Sequence, residues 1–140
     1  MLHGPLTDLV IETFYQVYNE LGHGYLESVY ARAMTIALRE VGLRAEEQLP
    51  IAVHFRGWVV GEFRADMIVE RCVLLELKAC RAIEAAHEAQ LLHYLRATTM
   101  EVGLVLNFGT RPSFKRLIFT NDRKLVRGGP AAVVGPSAHA

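Results

Sequence analysis

The stretch from Arg64 to Lys78, RADMIVERCVLLELK, constrains this chain more than any other, because two short apolar runs each carry charge where a buried strand would have none. Val, Ile, Leu and Met dominate both arms, roughly Glu62 to Val69 and Cys72 to Ala79, with Glu70 and Arg71 between them, and this predicts a β-hairpin. Strand side chains alternate faces, so a one-residue slip moves every one of them. Pairing Val69 with Val73 across a three-residue turn or a bulge sets Asp66 opposite Glu76 and Arg64 opposite Lys78. The same register sets Ala65, Met67 and Val69 against Leu77, Leu75 and Val73, and so separates the charged residues from the apolar ones. Two carboxylates directly opposite each other repel. A divalent cation between them removes that cost. The plainer alternative is a cross-strand ion-pair ladder of Arg64, Asp66, Glu76 and Lys78 on a solvent-facing sheet. Against the ladder, Ile68 and Leu74 share the charged face, which suits the lip of a cleft better than an open surface.

The 140 residues are 51% apolar, enough for one ordered domain, assigned to residues 1–124. Residues 125–140 are rich in Gly, Ala, Pro and Val without periodicity and read as a disordered C-terminal tail. Fifteen basic and fifteen acidic side chains balance, which excludes a protein held on nucleic acid by bulk charge. A local patch is available in Arg111, Lys115, Arg116, Arg123, Lys124 and Arg127, opposed only by Asp122; the alternative is a solvated basic edge. Cys72 and Cys80 stand at opposite ends of one strand, too far apart to bridge within it, and read as buried thiols of a reducing compartment. No apolar run approaches the roughly 18 residues that span a bilayer, so the expectation is a cytoplasmic protein with no membrane segment.

In chain order, Val10, Phe14, Val17, Tyr18 and Leu21 predict a helix over Thr7 to Leu21, capped by Thr7 or Asp8 and ended by Gly22-His23-Gly24. A second helix is expected from Tyr25 to Val41, burying Leu26, Val29, Ala33, Ile36 and Ala37 and stopping at Gly42. Glu27 falls in its first turn, where the helix dipole favours a carboxylate on structural grounds alone. Leu43 to Phe55 and Trp58 to Gly61 are β-rich runs, split by Pro50 and by Arg56-Gly57. With the hairpin they predict a meander of three or four antiparallel strands, the Glu76 strand at the centre. A helix from Ile83 to Thr98 places Gln90 and Tyr94 on one face. Leu91 stands where a zinc-protease helix beginning at His87-Glu88 would need its second histidine, which excludes that site. Strands then follow over Glu101 to Phe108 and Lys115 to Thr120, and the helix before them supplies the right-handed crossover that a parallel pair requires.

The spacing of Asp66, Glu76 and Lys78, D-x9-E-x-K, resembles the PD-(D/E)xK nuclease superfamily. Gly24-Tyr25-Leu26-Glu27-Ser28-Val29-Tyr30 matches the motif that names the GxxExxY family within it, and Gln90 with Tyr94 and the strand Val102 to Gly109 extend the likeness over Leu6 to Thr120. The resemblance implies an α/β (α+β) chain with a restriction-endonuclease-like αβββαβ core, a mixed central sheet flanked by helices. It also implies Mg²⁺- or Mn²⁺-dependent hydrolysis of DNA or RNA. Asp66, Glu76 and the backbone carbonyl of Leu77 would hold the metal, and Glu27 would complete the site. Lys78 would position or deprotonate the attacking water, and Gln90 would hold the lysine, a water or a phosphate oxygen. Tyr30, Tyr94 and Arg64 are supporting residues, with Arg111, Lys115 and Arg116 as nucleic-acid contacts. A rival of another class is a nuclease-fold module that binds nucleic acid or protein without turnover. The shortness of the chain leaves little room for an arm that embraces DNA, which a second copy or a protein partner would supply. A hydrolase acting on a non-nucleic substrate is the third reading, since fold does not fix function.

Overall fold

The computed structural model describes residues 1–124, so the expected tail at 125–140 lies outside the described residues. Helix α1 (Gly4–Leu21) is followed by α2 (Glu27–Glu40), then strands β1 (Ala45–Phe55), β2 (Trp58–Val69) and β3 (Val73–Lys78). Helix α3 (Ala85–Ala97) leads to β4 (Val102–Phe108) and β5 (Pro112–Ile118). The strands form one sheet in the order β1-β2-β3-β4-β5, parallel between β3 and β4 and antiparallel elsewhere. The strand carrying Glu76 is therefore central, as its apolar run predicts.

Helices α1 and α2 cover one face of the sheet, where Phe14, Tyr30, Met34 and Leu38 pack on Met67, Leu75, Leu77, Leu104 and Phe108. On the other face α3 lays Leu91 and Leu95 on Ile68, Leu74 and Val105. A strand covered on both sides reads as a continuous hydrophobic run, which explains Val73 to Leu77 apart from Glu76. Glu76 and Lys78 alternate with Leu75 and Leu77, so they share the α3 face with Leu74.

Several elements differ from the expectation. Helix α1 starts at Gly4, with Pro5 in its first turn; Thr7 is fully buried inside it and donates to the Gly4 carbonyl instead of capping. Helix α2 buries Tyr30, Ala31, Met34, Thr35 and Leu38, whereas Leu26, Val29 and Ile36 are exposed. Both stripes recur at helical spacing. The Tyr30 ring decides between them by stacking on Phe108 at 4.3 Å, a contact of about 1 kcal/mol beyond burial. Pro50 does not break β1, because β1 is an edge strand and can spare the amide that proline lacks. Trp58 to Val69 is likewise one strand and not two. Strand β5 begins at Pro112, ahead of the expected Lys115. Cys72 and Cys80 are free thiols but only half-buried.

Strand β1 pairs with β2 from Ala45 and Val69 out to Phe55 and Trp58, but β2 pairs with β3 only from Met67 to Val69. The outer half of the β1–β2 hairpin therefore stands free of β3 and extends roughly 25 Å past Asp66. Phe55, Trp58, Val59 and Val60 are all more than half exposed at its tip. Phe63 anchors its base by stacking on Tyr94 of α3 at 3.8 Å. The sequence gives no sign of this arm, since strand length alone does not say where pairing to a third strand ends.

Candidate active site

The hairpin register is the segregating one: Val69 pairs with Val73, Ile68 with Leu74 and Met67 with Leu75. Glu70 and Arg71 both adopt left-handed conformations, and Cys72, whose amide donates to the Val69 carbonyl, is the additional residue of the three-residue turn. Beyond Met67 the ladder stops. Asp66 and Glu76 do not form a backbone pair, nor do Arg64 and Lys78. In place of a strand partner the Leu77 amide donates to the Asp66 carboxylate, at 2.8 Å. The side chain thus takes a donor that the ladder would have used, and the strands part where the carboxylates lie.

Glu76 is 4% exposed, and its Oε1 is buried without a hydrogen-bond partner. Burial, and after it the neighbouring Asp66 carboxylate, pushes its acid up to about 8, against a smaller opposing effect from Lys78. Asp66 is raised as well, by burial first, with the Leu77 amide and Lys78 working the other way. Tyr94 is raised by burial and then by Glu76 and Asp66, which places the phenol within electrostatic reach of both acids. Among the described residues the ion pairs are Arg32–Glu47, Arg44–Glu46 and Arg71–Glu46, so the four-residue ladder does not form.

Glu27 comes from the first turn of α2, on the opposite layer, and reaches the end of β3, where its carboxylate accepts from the Ala79 amide at 3.3 Å. It acts electrostatically on both acids. Even so, among the described residues no three His, Cys, Asp or Glu side chains are arranged to hold a metal ion. The Asp66–Glu76 pair fits a hard cation in its chemistry: oxygen donors, one of them unpartnered and buried, whose mutual repulsion a positive charge relieves.

The supporting residues divide. Tyr30 does not hydrogen-bond Glu27; its hydroxyl donates to the Gly22 carbonyl at 2.6 Å and accepts from the Tyr25 amide, closing the loop between α1 and α2. Gly24 in that loop has φ 111°, so its role is conformational and not a close approach to the sheet. Gln90 is exposed and donates to the Tyr94 hydroxyl at 2.8 Å, not to Lys78. Arg64 is exposed and donates to the Gln48 carbonyl. The basic patch is dispersed. Arg116 binds the Thr7 hydroxyl and the Leu2 carbonyl, Arg123 lies over Phe119, and Lys124 is buried with its ammonium on the carbonyls of Thr98 and Met100. Arg111 and Lys115 are exposed, and Arg127 lies outside the described residues.

Two positions were missed in the sequence. Gln48, left-handed in β1, lies across from Asp66 between the Glu47–Met67 and Leu49–Ala65 pairs, and its side chain is the least of the influences that hold the Asp66 acid down against burial. Asn107 pairs with Lys78 in the sheet and is fully buried; its amide accepts from Cys80 N–H at 3.0 Å and donates to Cys80 C=O at 2.9 Å, fixing the chain just past Lys78. A lone amide in the apolar run Val102 to Phe108 was the available signal. The reason Gln48 escaped is that nothing marks a polar residue two positions before Pro50 as anything but surface.

No curated protein matches the chain. A solved structure described as "Crystal structure of SSO0001" is similar to it at a TM-score of 0.41 and 15% identity, covering 86% of this chain and 80% of that one. The family model of the PD-(D/E)XK nuclease superfamily matches residues 5–117, a span that holds the splayed hairpin, Glu27 and the α3 tyrosine, and the chain belongs to that superfamily.

Proposed function

We propose that the protein is a Mg²⁺- or Mn²⁺-dependent nuclease of the GxxExxY type that hydrolyses phosphodiester bonds of DNA or RNA. The observation that carries this reading is the half-buried Asp66 beside the buried Glu76, with an unpartnered carboxylate oxygen on Glu76 and Lys78 within electrostatic reach. Asp66 and Glu76 hold the cation, with the Leu77 carbonyl beside them and Glu27 completing the set directly or through water. When bound, the cation supplies positive charge to the phosphoryl oxygens and makes water a better nucleophile. Lys78 orients the attacking water, takes up its proton or meets the developing charge. Tyr94, fixed by the Phe63 stack and the Gln90 bond, borders the site as a positioning residue.

The free hairpin arm supports a macromolecular substrate, because it gives this short chain the reach that its length alone did not promise. Calorimetry with Mg²⁺ and Mn²⁺ on wild type and on the Asp66→Ala, Glu76→Ala double variant, beside cleavage of mixed DNA and RNA, tests the proposal. Loss of binding together with cleavage is the expected result. Binding lost without any wild-type cleavage would favour a nuclease-fold binding module instead, and absence of wild-type metal binding would overturn the metal site.

A further inference from the structure

A cavity of about 470 Å³ opens beside the Glu27 contact, and none of Asp66, Glu76 or Lys78 lines it. Its walls are residues 23–25 between α1 and α2, 79–81 after β3, and 108–110 at the end of β4. It thus sits at the carboxyl ends of the parallel pair, where α/β sheets bind ligands. Ala79 belongs both to this wall and to the Glu27 contact, and it directly follows Lys78. The cavity therefore shares Ala79 with the Glu27 contact and lies at the end of the strand that carries Glu76 and Lys78.

The walls are tied to one another. Asn107 clamps Cys80 through both backbone groups, and Gly109 approaches so closely that a Cβ there would lie 2.1 Å from the Cys80 carbonyl oxygen. The Tyr18 hydroxyl bridges the carbonyls of Gly109 and Thr110, at 2.7 and 2.8 Å. Tyr30 joins the third wall by bonding Gly22 and Tyr25 while stacking on Phe108. What these walls present is a guanidinium, an imidazole and an aromatic ring. His23 and Arg81 are exposed, neither takes part in an ion pair among the described residues, and no acidic side chain lines the space. Tyr25 is half exposed, its ring steadied edge-on by Tyr30.

We propose that this cavity binds one unpaired nucleotide of the strand being cut, next to the scissile phosphate, with its phosphate on Arg81 and its base stacked on Tyr25. The proposal rests on the nuclease reading and adds to it a preference for single-stranded substrate. A volume near 470 Å³ is in the range of small-ligand sites. A guanidinium matches phosphate with two parallel hydrogen bonds. Stacking on a tyrosine requires a base already out of its duplex.

The test is fluorescence anisotropy of labelled oligothymidylate and oligouridylate, and of their duplexes with complementary strands, in EDTA so that nothing is cut. Wild type should bind the single strands more tightly than the duplexes. Arg81→Gln and Tyr25→Ala should each weaken single-strand binding on the order of tenfold, with Tyr25→Phe binding as wild type. Unchanged melting temperatures distinguish lost contacts from lost folding. Single-strand binding that is unaltered in Arg81→Gln and Tyr25→Ala overturns the pocket, even if wild type cleaves with Mg²⁺ and the nuclease reading stands. Equal binding of duplexes, or no binding by wild type, also overturns it. Binding that depends on both residues in a protein that cuts nothing upholds the pocket and sinks the cleavage reading alone.

Discussion

At the turn end of the β2–β3 hairpin, Met67, Ile68 and Val69 pair with Leu75, Leu74 and Val73, and all six side chains are fully buried. One residue further the ladder ends, the Asp66 carboxylate takes the Leu77 amide, and Glu76 is buried with an oxygen unpartnered. The same two strands hold both ends. The zipped end gains from burial and from the backbone ladder together. The open end keeps the burial while replacing a backbone bond with a carboxylate, and the Leu77 amide and Lys78 offset only part of the desolvation cost, which leaves the rest available for a ligand. Stability and the proposed chemistry are thus divided along one hairpin.

The largest effects should separate the two ends outright. Lys78→Ala should lower cleavage on the order of 10³-fold while leaving the melting temperature near wild type. Leu75→Ala should do the reverse in kind, destabilising the fold by about 2–5 kcal/mol in urea titrations through the cavity it leaves. Cleavage that survives Lys78→Ala, or a Leu75→Ala protein as stable as wild type, would break the division.

A smaller effect has an opposite sign. Because the folded protein raises Glu76 from 4.5 to about 8, it binds a proton more tightly than the unfolded chain between those values. The contribution of Glu76 to stability is therefore complete below pH 4.5 and is lost as pH rises toward about 8. Glu76→Gln should match wild type at pH 5 and exceed it by about 1–3 kcal/mol at pH 8 without divalent cation, read from denaturation at both pH values. A variant less stable than wild type at pH 8 would show that the charge is compensated in the free protein. Saturating Mg²⁺ should close the gap by raising wild type at pH 8, by about 2.7 kcal/mol at a hundred times Kd, and should leave Asp66→Ala unmoved. The smallest expected change is that of Gln90→Ala, about 1 kcal/mol or less in stability and under tenfold in cleavage, since its amide is exposed and, among the described residues, bonds only Tyr94. A larger loss of cleavage would restore Gln90 to direct contact with the reacting groups.

Much of this was legible in the residues. Period-two alternation fixed Glu76 and Lys78 on one face, and the need to keep Asp66 off the apolar side selected a three-residue turn over a two-residue one. The crossover rule made β4 parallel to β3. Helix α2 was harder, because Leu26, Val29 and Ile36 on one side and Tyr30, Met34 and Leu38 on another repeat with the same spacing. Periodicity finds a stripe but cannot choose between two of them; the Tyr30–Phe108 stack did that, across most of the chain. The same limit applies to the basic residues. Lys124 is identical in sequence terms to a surface lysine, yet three oxygen acceptors bury it.

The sequence by itself determined the order of elements, the hairpin register and the placing of Glu76 and Lys78 on one face, since these follow from local alternation, turn chemistry and chirality. Tertiary structure alone decided where the β2–β3 ladder stops, which face of α2 is buried, that Gln48 lies across from Asp66 and Asn107 beside Lys78, and that a cavity opens at the end of β3. Those outcomes depend on contacts between residues far apart in the chain, each chosen by competition among packings of similar energy, and no local pattern records which one wins.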